Sequence, residues 1–310
     1  MMTDAQLHQT DYNVEACDIG VVHIGYGAFH RAHQAVYLDD YMQRTGDLRW
    51  GISAVNLRAV DSASFHASTR SKDGYVLKTI APDASQEFRL VRPHLAFVDA
   101  AQDMPGALDQ LAQSSVTVAS ITVTESGYYF SDDWSLDLTA PAISEELNGG
   151  STQTIYGYLA KALAKRAEKI DAPISILCCD NIRSNGQVLE NALLRYLSAA
   201  GDHDLADWVR CKATFPCSMV DRITPRTSDA LQAEVAHLYP HNSNAPIHAE
   251  RFAQWVLEDK FAAPMPDLRE VGVQVVGNVE PYEEAKIRIL NGGHTGLAYL
   301  GALAGHQTFD

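Results

Sequence analysis

The sequence predicts an α/β protein: a doubly wound, Rossmann-like sheet with an inserted β-hairpin, followed by the start of a mostly helical C-terminal domain. Three observations carry this. The apolar run 19–24 ends in Gly25-Tyr26-Gly27 and passes into the helical pattern RAHQAVYLDDYMQ; strand, glycine turn and helix open a dinucleotide-binding βαβ unit. Short apolar strands alternate with helical stretches along most of the 310 residues. Near the end, EEAKIRILNGGHTGLAYL reads as a helix with a polar face. The expected division is a dinucleotide-binding unit over 1–285 and the start of a helical substrate domain over 286–310.

Taken in order, the first two glycines of a GxGxxG turn are Gly25 and Gly27, and His30 stands where the third is usual. The stretch 50–56 reads as the second strand. Asn56 holds the place of the acidic residue that normally meets the adenosine ribose, with Arg58 and then Asp61 just beyond. Arg58 suits either an adenine face or a 2′-phosphate, so NAD is expected with NADP left open. Asp61 fits a ribose contact or the N-cap of the next helix. Residues 74–80 and 87–91 flank Pro82-Asp83-Ala84-Ser85 as a hairpin. After a helix near 104–112, the strand 116–123 ends in Thr124-Glu125-Ser126-Gly127. Ligands sit beyond the carboxyl ends of such strands, which makes Thr124 and Glu125 candidates for the nicotinamide-ribose neighbourhood; turn formation and capping are their other reading. A polar loop is expected near 131–150 and a helix from about 151 to 168. The strand 173–179 then ends in Asp180-Asn181. Asn181 can donate to a substrate oxygen, or the pair can simply shape the turn. Helices are expected over 187–199 and 203–209. In the apolar setting of FPCSMVDRITP, Asp221 and Arg222 need partners, and an ion pair between them is one solution.

Composition narrows the function classes. A formal charge of −15 argues against nucleic-acid binding. It leaves room for a phosphate-bearing cofactor, which backbone amides at a helix start can hold locally. No apolar run reaches the roughly 18–20 residues that span a membrane, and the N-terminus lacks a signal-peptide pattern. The five cysteines, at 17, 178, 179, 211 and 217, show no CxxC pairing, so neither a disulfide framework nor a zinc site is expected. A reduced, cytoplasmic protein fits best. The composition does not fix an oligomeric state.

The late helix holds Glu283, Lys286, Asn291 and His294. At about 100° per residue these span an arc of roughly 140° and can face one cleft. An amine that can lose its proton, an amide donor and an imidazole suit proton transfer at an alcohol. A solvated polar face is the alternative. A lysine at its reference pKa near 10.4 is a poor base at neutral pH, so desolvation beside Ile287 and Leu290 must lower it, with Glu283 opposing if ionised.

Six stretches in order, GYGAFHRAHQAVY, TVTESGYY, CCDNIRSNG, FPCSMVDRITP, QWVLEDKF and PYEEAKIRILNGGH, resemble the polyol-specific long-chain dehydrogenases, the family of mannitol 2-dehydrogenase and fructuronate reductase. The resemblance covers roughly 18–310. It removes the objection of the missing third glycine, because the family's own fingerprint is GxGxFHRAHQ.

The resemblance implies that Lys286 of the KxxxxNxxH signature is the general base in hydride transfer to NAD. Asn291 and Asn181 would be the oxyanion-stabilising pair, each worth about 2.7–4 kcal/mol on oxyanion-hole precedent. His294 would hold the reacting oxygen or its neighbour, Asp221 would contact substrate or orient the lysine, and Glu283 would line a proton path. Gly25, Gly27 and Phe29 would form the dinucleotide turn, with Arg31 near the phosphates, and no metal would be needed. The implied partner is a polyol and its ketose, mannitol and fructose ahead of a hexuronate. Family members continue into a larger helical substrate domain, so weak or absent activity is expected of these 310 residues alone.

Overall fold

A computed structural model describes residues 6–71 and 73–306; the last four residues of the expected helical unit lie outside this range. The short strand β1 (Leu7–Gln9) precedes β2 (Ile19–Ile24), whose glycine turn feeds α1 (Ala28–Ala32) and α2 (Gln34–Thr45). Next come β3 (Gly51–Asn56), α3 (Ser62–Ser68), β4 (Tyr75–Ile80), β5 (Gln86–Val91) and β6 (His94–Asp99). The middle of the chain forms α4 (Met104–Leu111), β7 (Val118–Ile121), α5 (Pro141–Leu147), α6 (Ile155–Lys169) and β8 (Ile174–Cys178). It is followed by α7 (Asn185–Ala200), α8 (His203–Lys212), β9 (Ala213–Thr214), β10 (Ser218–Asp221) and α9 (Asp229–Leu238). The strands β11 (Ile247–Glu250), β12 (Gln254–Glu258) and β13 (Gln274–Val276) precede α10 (Glu280–Ala285), a π-helical turn (Lys286–Asn291) and α11 (Gly292–Leu303).

Six strands form one sheet in the order β6-β3-β2-β7-β8-β9, parallel throughout. This is the 3-2-1-4-5-6 order of doubly wound nucleotide-binding sheets, and its direction reverses between β2 and β7. Apolar residues run almost without break along these strands because both faces are covered. Neighbouring residues therefore enter opposite cores: Val22 and Ile176 pack with Leu159, Leu163 and Leu189, whereas Val21 and Leu177 pack with Leu38, Met42 and Trp255. Local signals set the helix ends. The Thr154 hydroxyl accepts the Gly157 N–H at 3.2 Å to start α6, and Gly46 and Gly201 close α2 and α7 in the left-handed region.

Three expectations need correction. The hairpin β4–β5 is present, with Tyr75 opposite Val91, but β1 and β11 extend it to a four-stranded sheet, β1-β5-β4-β11. A third sheet, β10-β12-β13, carries Asp221 at the end of its first strand. Its strands and those flanking the hairpin are three to five residues long, too short to show a period in sequence. Within the loop expected over 131–150, Pro141 opens the one-turn-plus helix α5, where its fixed φ suits the first helical position. Among the described residues no helix is long and apolar enough to cross a membrane.

Candidate active site

The carboxyl ends of β2, β3 and β7 border a cleft of about 400 Å³ lined by Gly25, Tyr26, Gly27, Arg31, Arg58, Asp61 and Thr124, among others. Gly25 has φ +99°, and a Cβ there would lie 2.0 Å from the Thr122 carbonyl oxygen; only glycine fits. At Gly27 an added Cβ would meet nothing within 4 Å, so the backbone at the start of α1 lies open to a ligand. A cradle of this kind, open at a helix start, fits the pyrophosphate of a dinucleotide.

The place of the third glycine is taken by a flat ring. His30 is fully buried and stacks on His23 at 3.3 Å with the planes 8° apart. Its Nε2 lies 3.0 Å from His94 Nε2, one donating and the other accepting. The ring nitrogens of His23 bond the Ser120 and Thr122 hydroxyls at 2.8 and 2.9 Å. Helix and strand thus pack closely through imidazole stacking where other sheets use a missing side chain. Burial pushes His23 and His33 down to about 3, and holds His30 and His94 well below their ordinary value.

Among the expected cofactor residues, Arg31 is buried with its guanidinium 4.1 Å from the Tyr75 ring centroid and 5.1 Å from that of Tyr26. It donates to the Ala245 carbonyl, while its Nε has no partner. Arg58 and Asp61 form an exposed ion pair at 3.4 Å on the cleft rim. Asp61 stands at the N-cap position of α3 but its side chain makes no capping bond. Asn56 donates to Asp99 Oδ1 at 2.9 Å and to the Arg58 carbonyl at 3.0 Å, which shapes the turn after β3. Thr124, at φ +65°, lines the cleft; Glu125 faces a separate shallow pocket with Tyr129, Phe130 and Trp134. Phe29 packs inward, stacked on His33 at 5.0 Å, and is not among the cleft-lining residues.

The second cluster gathers at the ends of β8 and β10. Lys286 Nζ donates to Asn181 Oδ1 and to the Val220 carbonyl, both at 2.7 Å, and lies 3.4 Å from Asp221 Oδ1. Its side chain is 9% exposed. Burial pulls the amine below its ordinary value while Asp221 pulls it back up. The opposing charge is thus Asp221 and not Glu283. Glu283 is buried and turns its carboxylate to the Ser184 N–H at 3.2 and 3.3 Å; burial raises its pKa, against the pull of that bond and of Arg183. The expected Asp221–Arg222 pair does not form. Arg222 donates to the Glu250 carbonyl at 3.0 Å and to the Ala32 carbonyl.

Lys286, Asn181, Glu283 and Asn291 line one small cavity of about 50 Å³, room for a water or a reacting group. His294 is not among its lining residues and sits on the exposed helix α11. Lys286–Asn291 winds as a π-turn, not as the ideal α-helix of the expected arc. The i→i+5 spacing shifts the phase of everything after it, and such turns gather at functional sites. Sequence reasoning missed the Val220 carbonyl, which no side-chain pattern marks. Asp180, expected at most to shape the turn, accepts the Val123 N–H at 2.9 Å and the Tyr128 hydroxyl at 2.7 Å on its Oδ2 and so ties the cofactor cleft to the lysine cluster.

Comparison with known proteins identifies the family. Residues 19–270 match the family model of the mannitol dehydrogenase Rossmann domain, and 278–310 match that of the mannitol dehydrogenase C-terminal domain. D-arabinitol 4-dehydrogenase of Klebsiella pneumoniae is 37% identical over 92% of this chain and 62% of its own length. Mannitol 2-dehydrogenase of Pyrenophora tritici-repentis is 35% identical over 92% of this chain and 51% of its own length. Among solved structures, Pseudomonas fluorescens mannitol 2-dehydrogenase, in a ternary complex with NAD and D-mannitol, superposes with a TM-score of 0.88 at 35% identity, covering 97% of this chain and 61% of that one. A substrate-free D-sorbitol dehydrogenase gives 0.89 at 33%, covering 97% and 62%. The chain thus spans half to three-fifths of the length of these relatives. From its glycine turn to its lysine cluster, the chain belongs to the mannitol dehydrogenase family.

Proposed function

We propose that this chain carries the cofactor-binding and proton-transfer machinery of an NAD-dependent polyol dehydrogenase that interconverts a polyol and its ketose, of the mannitol/fructose type. The observation that carries the reading is the Lys286 amine, desolvated and held between Asn181 and Asp221 at the sheet edge that also bears the Gly25–Gly27 cradle. NAD, bound along that edge, supplies the hydride acceptor. The relatives' names and the NAD–mannitol complex of one of them support the same chemistry.

The residues then divide the work. Gly25 and Gly27 admit the pyrophosphate, and the Arg58–Asp61 pair meets the adenosine ribose. Because Asp61 already neutralises Arg58, a 2′-phosphate gains little there, which favours NAD over NADP. The neutral Lys286 amine takes the hydroxyl proton as the carbinol carbon loses hydride, and returns it in the reverse direction. Asn181 spends its carboxamide oxygen on Lys286, which leaves its amide hydrogens free to face the substrate oxygen; Asn291, on the same cavity, is the second donor. Glu283, buried and raised, is placed to pass the proton onward from the cavity. We place the division between the dinucleotide unit and the helical unit at 285/286, where α10 gives way to the π-turn.

The test is turnover of this chain with NADH or NADPH against fructose, fructuronate and tagaturonate, beside NADH binding. Fructose reduction with NADH, weak in these 310 residues alone, is the expected outcome. Preference for either hexuronate moves the substrate to the carboxylate class, and NADH binding without turnover of any of them makes the chain a nucleotide-binding protein only.

A further inference from the structure

The Lys286 amine is bracketed by groups from two different sheets. Asn181 follows β8 of the six-stranded sheet, and Val220 and Asp221 end β10 of the three-stranded sheet. The distance between these walls decides whether one amine can reach both. The side chain that joins them is Asn185, 1% exposed at the start of α7. Its Nδ2 donates toward the Cys178 carbonyl at 2.9 Å, the Asp180 carbonyl at 3.1 Å and the Ser218 carbonyl at 2.8 Å, with the Ser218 hydroxyl at 3.3 Å. Its Oδ1 accepts the Ser218 N–H at 2.9 Å. The Ser218 hydroxyl completes the bridge by donating to the Cys178 carbonyl at 2.6 Å.

One carboxamide therefore clasps the last turn of the β8 edge and the first residue of β10. The next residue makes the approach possible: a Cβ on Gly186 would lie 2.3 Å from the Phe215 carbonyl oxygen and 2.7 Å from the Pro216 carbonyl. Asn181 lies four residues before this clasp, and Val220 two residues beyond Ser218. The preceding residue, Ser184, holds φ +51° and offers its N–H to Glu283. The same short segment thus also docks the helix that brings Lys286.

We propose that Asn185 is the positioning residue of the proton-transfer site: it fixes the gap between Asn181 and Val220–Asp221 and thereby holds the Lys286 amine in place. It touches no reacting atom. An aspartate there is isosteric but turns one pair of donors into an acceptor facing three carbonyls, so it breaks the clasp without emptying the space. The proposal takes from the functional reading that Lys286 is the proton acceptor; the geometry of the clasp stands without it.

Two readouts separate the cases. The first needs no activity: acylation of Lys286 by acetic anhydride, measured by peptide mass spectrometry against the exposed Lys169 of the same chain. Asn185→Asp is expected to raise this ratio by about threefold or more, as the amine loses its fixed acceptors and opens to solvent. The second is kinetic. The kcat of NADH-dependent fructose reduction falls by about tenfold or more while the NADH dissociation constant moves less than about twofold, because small misplacements of catalytic groups cost rate steeply and the glycine cradle lies on other strands. Combined with Lys286→Ala, the variant adds almost nothing further to the loss of kcat, since both act through one group. Should Asn185→Asp not fold, Ser218→Ala removes one bond of the clasp and is expected to raise the labelling ratio about twofold. An unchanged ratio in whichever variant folds overturns the proposal, and so does a kcat loss matched by an equal loss of NADH binding. Absent turnover in the unsubstituted chain counts against the functional reading alone; the labelling ratio still decides the role of Asn185.

Discussion

Four histidines under the dinucleotide turn make the fold acid-sensitive at an unusually mild pH. His23, His30 and His33 are fully buried and His94 nearly so, and burial holds all four below their ordinary value, His23 and His33 at about 3. Their folded pKa values are depressed, so the neutral ring is what the fold holds. The stability they contribute is present above the unfolded value of about 6.5 and drains away as pH falls toward about 3. Between about pH 7.5 and 5.5 the unfolded chain gains protons that the folded chain refuses. With a folded value of about 3, that difference comes to about 1.4 kcal/mol for His23 and the same for His33, about 2.8 kcal/mol together. His30 and His94 add in the same direction. Asp180 and Glu283 act oppositely, because burial raises their pKa values, but chiefly at lower pH where carboxylates titrate. A loss of about 3 kcal/mol is a large part of a typical 5–15 kcal/mol. Urea unfolding followed by circular dichroism at the two pH values measures it. His33→Gln should cut the pH-dependent loss by about 1.4 kcal/mol, whatever it does to the absolute stability. Stability that is flat or rises on acidification over this range would refute the reasoning.

Other expected outcomes concern the two clusters separately. Asp221→Asn removes the charge that raises the Lys286 pKa, so the rise of polyol-oxidation kcat with pH should begin at lower pH; a limb displaced upward contradicts this. Gly25→Ala places a Cβ 2.0 Å from the Thr122 carbonyl oxygen at φ +99°, and a strain of about 1–3 kcal/mol should weaken NADH binding by about tenfold or more, read by fluorescence titration. Asp61→Ala frees the Arg58 guanidinium and should raise the NADPH-to-NADH ratio of kcat/KM; an unchanged ratio removes the pair from cofactor choice.

The sequence was most legible where physics acts locally. Gly25 and Gly27 declare their turn because one needs a positive φ and the other open space. The six core strands are apolar along their length because both faces are covered. Asn181, Asp221, Glu283 and Lys286 were all singled out; Asn181 and Asp221 lie at the Lys286 amine, and Glu283 lines the same small cavity. What stayed hidden depends on tertiary geometry. The family fingerprint accounted for His30 in place of a third glycine, but its physical part, a ring stacked on His23 7 residues earlier across a strand-helix gap, shows only in the fold. The π-turn over Lys286–Asn291 follows from no residue type in KIRILN. Asp221 and Arg222 were expected to pair because both sit in an apolar setting, yet each finds a partner elsewhere, Asp221 at Lys286 and Arg222 at the Glu250 carbonyl. The α11 face, with Leu297, Leu300 and Leu303 largely exposed, is apolar in sequence and remains uncovered among the described residues.

The central claim is that Lys286 accepts the substrate proton, and one comparison tests it most directly: NADH-dependent fructose reduction by the unsubstituted chain and by Lys286→Ala, with NADH binding measured in parallel. A fall in kcat of about 10²–10⁴-fold, the range of a positioned general acid–base group, is expected, with NADH binding kept. Equal rates in the two proteins would contradict it.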